Sequence, residues 1–322
     1  MESNELIEPF ARLLDDAASP RTVRDIEAGG DWSCLWEAIS GSGFLDALVA
    51  EEHGGAGLSL AQAAPLFELL GARAMPLPVA ETMVARALLA RAGQAAPAGP
   101  IVLATTLGHP VPGALVAGHA LAEEGSHMVL APIAGSGLRP TGVHGSLAAV
   151  LATVPRSASM PAPVAGLRAV AAVVRAALIA GAAARVCEMA VTHASQRVQF
   201  GKPIGRQQAL QQMMAVMAQD MVACRIAARL ACAGGLGVNQ ALAATAKITA
   251  SAAAARVAAS GHAVHGAIGI AEEYDLQLLT RRLHEWRLAD GSETFWAARL
   301  GAQRIEGEGS SVDWVRLRVF AS

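Results

Sequence analysis

Aromatic residues make up only 4% of this 322-residue chain and charged residues 16%, against 53% of hydrophobic type. With rings so scarce, alanine carries much of the apolar total, which favours closely packed helices over a sheet rich in β-branched side chains. Basic charge is not in excess: 25 Lys and Arg stand against 27 Asp and Glu, a formal net charge of -2. That excludes an electrostatic case for nucleic acid, which needs a basic surface. The four cysteines, Cys34, Cys187, Cys224 and Cys232, are scattered. The last two would lie about 12 Å apart on a shared helix, too far to bridge, as suits a reducing compartment. Neither a Gly-Lys-Ser/Thr ending nor a Gly-x-Gly-x-x-Gly opening a helix is present, so a Rossmann cofactor site is not expected. Met1 to Glu5 is acidic and polar rather than basic and then apolar, which predicts a cytoplasmic protein. The longest apolar stretch, Val164 to Ala190, carries Arg168, Arg175, Arg185 and Glu188 at depths where lipid-facing charge is costly. It reads as a buried bundle helix, without membrane insertion.

What is present divides into three textures. Residues 1–99 read as short helices with Gly and Pro punctuation. Residues 100–163 change to short runs at Ile101–Thr106, Ala114–Ala117, Met128–Ile133 and Leu147–Val154, a strand-and-turn pattern. Residues 164–322 return to helix: after the Val164 segment, Arg206–Ala233, Asn239–Val264 and Gly291–Arg304 complete a four-helix bundle. The expected fold is mainly α with a small β-domain. Met213, Met214, Met217 and Met221 recur at helical spacing and read as core filling.

Taken residue by residue, several positions admit a plain structural account. Arg197 is a cation following a helix, favourable to the macrodipole. His262 and His265 read as packing or capping residues, with no metal site predicted. Gly266 and Gly269 let backbone approach a neighbour closely. Asp290-Gly291-Ser292-Glu293 has the pattern of a capping box, with Asp290 as N-cap.

Two ordered stretches resemble the acyl-CoA dehydrogenase family: Arg197-Val198-Gln199-Phe200-Gly201-Lys202-Pro203-Ile204, and His265-Gly266-Ala267-Ile268-Gly269 followed by Arg281 and Asp290-Gly291-Ser292-Glu293. Glu51 to Ser59 resembles the Gly-Gly turn of the family's N-terminal domain. The resemblance implies a helical domain, a β-barrel-like domain and a four-helix bundle, with FAD as cofactor and an acyl-CoA thioester as substrate. A carboxylate would take the α-proton, flavin N5 the β-hydride, and an electron-transfer flavoprotein the electrons. By the same resemblance Arg197 reaches the pyrophosphate of a neighbouring subunit's flavin, Phe200 packs on it, and Gln199, Gln208, His265, Gly266, Gly269 and Ser292 complete the cofactor set. Asp290 stands at the position of the catalytic base. A second family location for that base falls near Ala171. The sequence departs from the family pattern at Ala263 and Ala267. It also lacks, within Leu103 to Pro110, the elements that bed the isoalloxazine ring. The short β-domain resembles that of subunits of heteromeric steroid-CoA dehydrogenases. The implied assembly is a homo-oligomer, or a heteromer with a longer homologue that binds the shared FAD. The alternative is a catalytically inactive structural subunit that completes a partner dehydrogenase.

Overall fold

The computed structural model describes residues 4–155 and 159–320. Five helices come first: α1 (Asn4–Ala17), α2 (Pro20–Glu27), α3 (Ser33–Ser40), α4 (Leu60–Ala72) and α5 (Val79–Arg91). Their starts follow local chemistry. Ser19 accepts from the Thr22 N–H ahead of α2, and Ser59 and Gln62 close a reciprocal capping box on α4.

Strands β1 (Ile101–Ala104), β3 (His119–Glu124), β4 (His127–Pro132) and β7 (Ser159–Pro161) form one sheet in the order β1-β3-β4-β7. Strands β2 (Pro110–Val111), β6 (Ala149–Val150) and β5 (Arg139–Pro140) form a second, in that order. Alternation along β1 explains its unbroken burial. Ile101 and Leu103 face the main helical core, whereas Val102 and Ala104 face a small core shared with Val111, Ile133, Ala149 and Leu151.

Sequence and structure differ here in instructive ways. The run at Ala114–Ala117 is a 3₁₀ turn, and β3 was not anticipated. His119-Ala120-Leu121-Ala122-Glu123-Glu124 holds no β-branched residue. Pairing with β1 on one side and β4 on the other makes it a strand against its local preference.

The C-terminal half holds α6 (Leu167–Gln196), a hairpin of β8 (Val198–Gln199) and β9 (Lys202–Pro203), and then α7 (Gln208–Cys232), α8 (Gln240–His265), α9 (Leu276–Leu288), α10 (Glu293–Glu306) and α11 (Ser311–Arg318). α6 is long and apolar enough to cross a membrane, but 89% of its apolar window is buried inside the protein. Its first N–H groups are capped from the sheet, since the Glu123 carboxylate accepts from Leu167 at 2.9 Å and Arg168 at 3.1 Å. α6 meets α4 through two glycines. A Cβ on Gly181 would stand 1.8 Å from the Glu68 carbonyl oxygen, and one on Gly71 2.0 Å from that of Leu178. Glycine at both points is what lets these backbones touch. α9 was also unforeseen, although Leu276, Leu279, Leu283 and Trp286 carry helical spacing and are buried. It packs on α6 and α8 as a member of the bundle, while α10, the helix anticipated over Gly291–Arg304, lies on α8.

Candidate functional site

The turn between α9 and α10 brings Asp290 inward. Asp290 has φ +58° and Gly291 φ +103°, left-handed conformations that reverse the chain within two residues. The helix begins at Glu293 with Ser292 as its N-cap, the Ser292 hydroxyl accepting from Phe295 N–H at 3.4 Å. Asp290 is therefore not the cap. Glu293 binds Arg287 instead of closing a capping box. Released from capping, the Asp290 carboxylate enters a buried charge cluster. Its Oδ1 accepts from the Thr105 hydroxyl at 2.9 Å, and its Oδ2 from Arg175 Nε at 3.0 Å. Arg175 also pairs with Glu81 of α5, and none of the three charged side chains is more than 6% exposed. Burial works against the Arg175 charge, but the two carboxylates more than offset it and hold its pKa above the ordinary value.

A second buried cation supports the same turn. Lys247 of α8 donates to the carbonyls of Trp286 and Arg287, both at 2.8 Å, and to Ser251 Oγ at 3.0 Å. It thereby caps the last turn of α9, two residues before the chain turns at Asp290. The Trp296 indole fixes the other side by donating to the Asp290 carbonyl at 3.1 Å. Burial pushes the Lys247 ammonium down from 10.5 to about 7, with Arg175 lowering it further and Asp290 opposing. Between these values the unfolded chain binds more protons than the folded one, so this group makes stability rise as pH increases from about 7. Lys247→Met is expected to remove that rise. Melting temperatures of both proteins from about pH 6 to about pH 9 check this, and equal slopes would show that Lys247 does not titrate there.

At the mouth of the cluster, Arg168 and Arg299 lie over the Phe295 ring, 4.9 Å and 5.4 Å from its centroid. Arg168 also donates to the Thr105 carbonyl at 3.1 Å and to the Thr106 hydroxyl. Neither arginine makes an ion pair among the described residues. Two cations beside the start of α10 suit a phosphate-bearing ligand.

The remaining predicted residues gather at the far end of α6. Arg197 is its C-cap and makes no ion pair among the described residues. The chain then turns through Phe200 (φ +51°) and Gly201 (φ +77°), as a two-residue hairpin requires, with Gln199 paired to Lys202. Phe200 is 92% exposed, and Gln199 and Gln208 are exposed as well. Beside this arm the His193 and His265 rings stack at 4.7 Å, with Tyr274 tilted against His265 at 5.3 Å. Burial, then the neighbouring His265 and Arg197, lowers the His193 pKa. His265 Nδ1 contacts the Gly261 carbonyl at 2.7 Å, while its buried Nε2 has no partner among the described residues. His262 Nε2 is engaged with Thr280. Gly266 takes φ +63°, and a Cβ on Gly269 would meet His265 Cβ at 2.9 Å. Arg175 and His193 stand 18 residues apart on α6, about 27 Å at a rise of about 1.5 Å per residue. The predicted site is thus two sites: Asp290 and Ser292 at one end, and Arg197, Gln199, Phe200, Gln208, His265, Gly266 and Gly269 at the other.

Residues 168–304 match the family described as acyl-CoA dehydrogenase, C-terminal domain. Acyl-CoA dehydrogenase IpdE2 of Mycobacterium tuberculosis is 33% identical over 298 residues, which cover 88% of this chain and 91% of that protein. The chain belongs to the acyl-CoA dehydrogenase family. Among solved structures, the ChsE4–ChsE5 complex from Mycobacterium tuberculosis superimposes with a TM-score of 0.79 at 21% identity, over 96% of this chain and 98% of that one. A steroid acyl-CoA dehydrogenase, the Tcur3481–Tcur3483 G363A variant, gives 0.81 at 24% identity, over 95% and 98%. An acyl-CoA dehydrogenase fold thus extends along nearly the whole chain, small sheets included.

Sequence reasoning missed the buried cluster at Asp290, in which Arg175 bonds Asp290, Glu81 pairs with Arg175, and Lys247 holds the end of α9 before the turn. Glu81, Arg175 and Lys247 lie on three different helices, and their only signal was charge inside apolar helical stretches. Arg281, noted within the family pattern, binds Glu27 of α2, the His144 carbonyl and Gln277. It ties the bundle to the N-terminal helices and the β-region.

Proposed function

We propose that this chain is one subunit of an FAD-dependent acyl-CoA dehydrogenase in which flavin is shared across a subunit interface. The observation that carries this reading is the Arg197–Phe200 arm. An aromatic ring 92% exposed, in a left-handed backbone conformation and beside an unpaired guanidinium, gains little from its own chain. Both groups suit a flavin held by a neighbour: the guanidinium can donate to two phosphate oxygens, and the ring can pack on the cofactor. The partnerless His265 Nε2 and the bare backbone at Gly266 offer a polar contact and close approach beside them. When bound, FAD supplies the hydride acceptor for α,β-dehydrogenation of an acyl-CoA thioester, and its electrons pass to an electron-transfer flavoprotein.

At the other end, Arg168, Arg299 and Ser292 would face the phosphates of a ligand bound beside the start of α10. Asp290 is the acid at the family's base position. Each of its oxygens accepts one hydrogen bond, one from a guanidinium, and the side chain is 5% exposed, so a substrate reaches the remaining lone pairs only if the buried turn opens. This favours a second element of the proposal. Asp290 serves here as the counter-ion that ties the α9–α10 turn to α5 and α6 through Arg175, and the working base belongs to the partner, a longer homologue in a heteromer.

The test is flavin stoichiometry of the chain purified alone and after co-expression with an adjacent homologue. Flavin appearing only in the pair, and lost on Arg197→Ala with the pair still assembled, is the expected result. One flavin per chain in the isolated protein would overturn the sharing. Full flavin retention by Arg197→Ala would remove Arg197 from the cofactor site.

A further inference from the structure

We propose that a groove along α6 from Gly181 to Met189 binds an apolar carboxylate as a free small molecule. The groove runs between α1, α2 and α4 on one side and α6, α7 and α9 on the other, with a volume of about 870 Å³. Pockets that hold small molecules span roughly 300–1,000 Å³. Its apolar walls come from Leu69, Ala72, Ala184, Met189, Leu278 and Leu279, small and aliphatic side chains without a donor to claim. Gly181, where α4 and α6 touch, closes the floor.

The charge of the ligand follows from the pairing on the rim. Arg73 binds Asp15, Arg185 binds Glu188, and Asp275 is held by Arg24 from outside the groove. Glu68 alone faces two arginines. Arg229 takes both of its oxygens, Nε to Oε1 at 2.8 Å and Nη2 to Oε2 at 3.2 Å. Arg225 is left 3.1 Å from Oε2 by its Nε, which is buried and makes no hydrogen bond among the described residues. On the rim four arginines meet four carboxylates, and because Arg24 neutralises Asp275 from outside, the excess positive charge falls at Arg225, which shares Glu68 with Arg229 and is partly open to the groove. An apolar surface beside a part-exposed guanidinium that shares its one carboxylate with a second arginine is complementary to a hydrophobic body ending in a carboxylate. This site does not depend on flavin sharing, since none of its residues belongs to the Arg197 or Asp290 group.

The experiment is calorimetric titration of the full chain with sodium dodecanoate below micellar concentration, and with dodecanol as the uncharged probe. Saturable binding of one dodecanoate per chain is expected, with dodecanol at least about tenfold weaker. Arg225→Gln leaves the Arg229–Glu68 pair intact and should abolish the preference for the carboxylate. Ala184→Trp, which fills the groove from a part-exposed position, should abolish binding of both. Absence of saturable binding, equal binding of the two probes, or unaltered binding in Ala184→Trp would each overturn the proposal. So would binding that vanishes when a partner subunit is assembled on the chain, because the groove would then be an interface.

Discussion

Arg175→Met is expected to cost about 3–5 kcal/mol, the range found when one member of a buried ion pair is removed. Among the described residues the guanidinium is the only cation that bonds both Glu81 and Asp290 directly, and all three side chains are screened from water. Without it, two carboxylates remain in the core between α5, α6 and the α9–α10 turn. They must stay charged without a direct partner, take up protons, or draw water in. A domain with a total stability of about 5–15 kcal/mol would lose a large share of it. Equilibrium urea unfolding measures the loss. Replacing Glu81 by Gln and Asp290 by Asn in the same protein should restore more than half of it, because the penalty lies in the stranded charges. A single variant within about 0.5 kcal/mol of the parent would show that the cluster is already hydrated or mobile.

The contrast between what was and was not legible in the sequence turns on the range of the interactions involved. Helices such as α7 and α8 announce themselves through local periodicity, and the Phe200-Gly201 turn through Gly201, which tolerates left-handed backbone where Phe200 is strained. The Arg197 arm and the His265 stretch are contiguous, so their motif could be recognised before any packing was known. The strand β3 and the Glu81–Arg175–Asp290 cluster are settled by tertiary contacts: two flanking strands in one case, α5, α6 and the α9–α10 turn in the other. Asp290 itself shows how a local pattern misleads. Its four-residue context fits a capping box, but φ +58° at Asp290 turns its side chain into the core and shifts the cap to Ser292. The division of the site is likewise a matter of tertiary placement, because 18 residues of α6, from Arg175 to His193, separate the Asp290 group from the Arg197 group.

Asp290→Asn, measured in the co-expressed assembly, is expected to keep turnover within about threefold while lowering stability by about 1.5–3 kcal/mol, the worth of hydrogen bonding to a charged group. The amide retains an acceptor for Arg175 Nε, and Thr105 can rotate its hydroxyl to match the remaining group, so the turn and its left-handed backbone persist. What disappears is the negative charge, which matters to the reaction only if this carboxylate takes the substrate proton. General-base contributions run to about 10²–10⁴-fold, far outside the threefold window, so the two roles separate cleanly. A fall of that size, with flavin content and assembly unchanged, would make Asp290 the base and require the buried turn to open to substrate during the catalytic cycle. Retained turnover would place the base in the partner and leave Asp290 the task its geometry already performs, holding α5, α6 and the entry to α10 around one buried guanidinium.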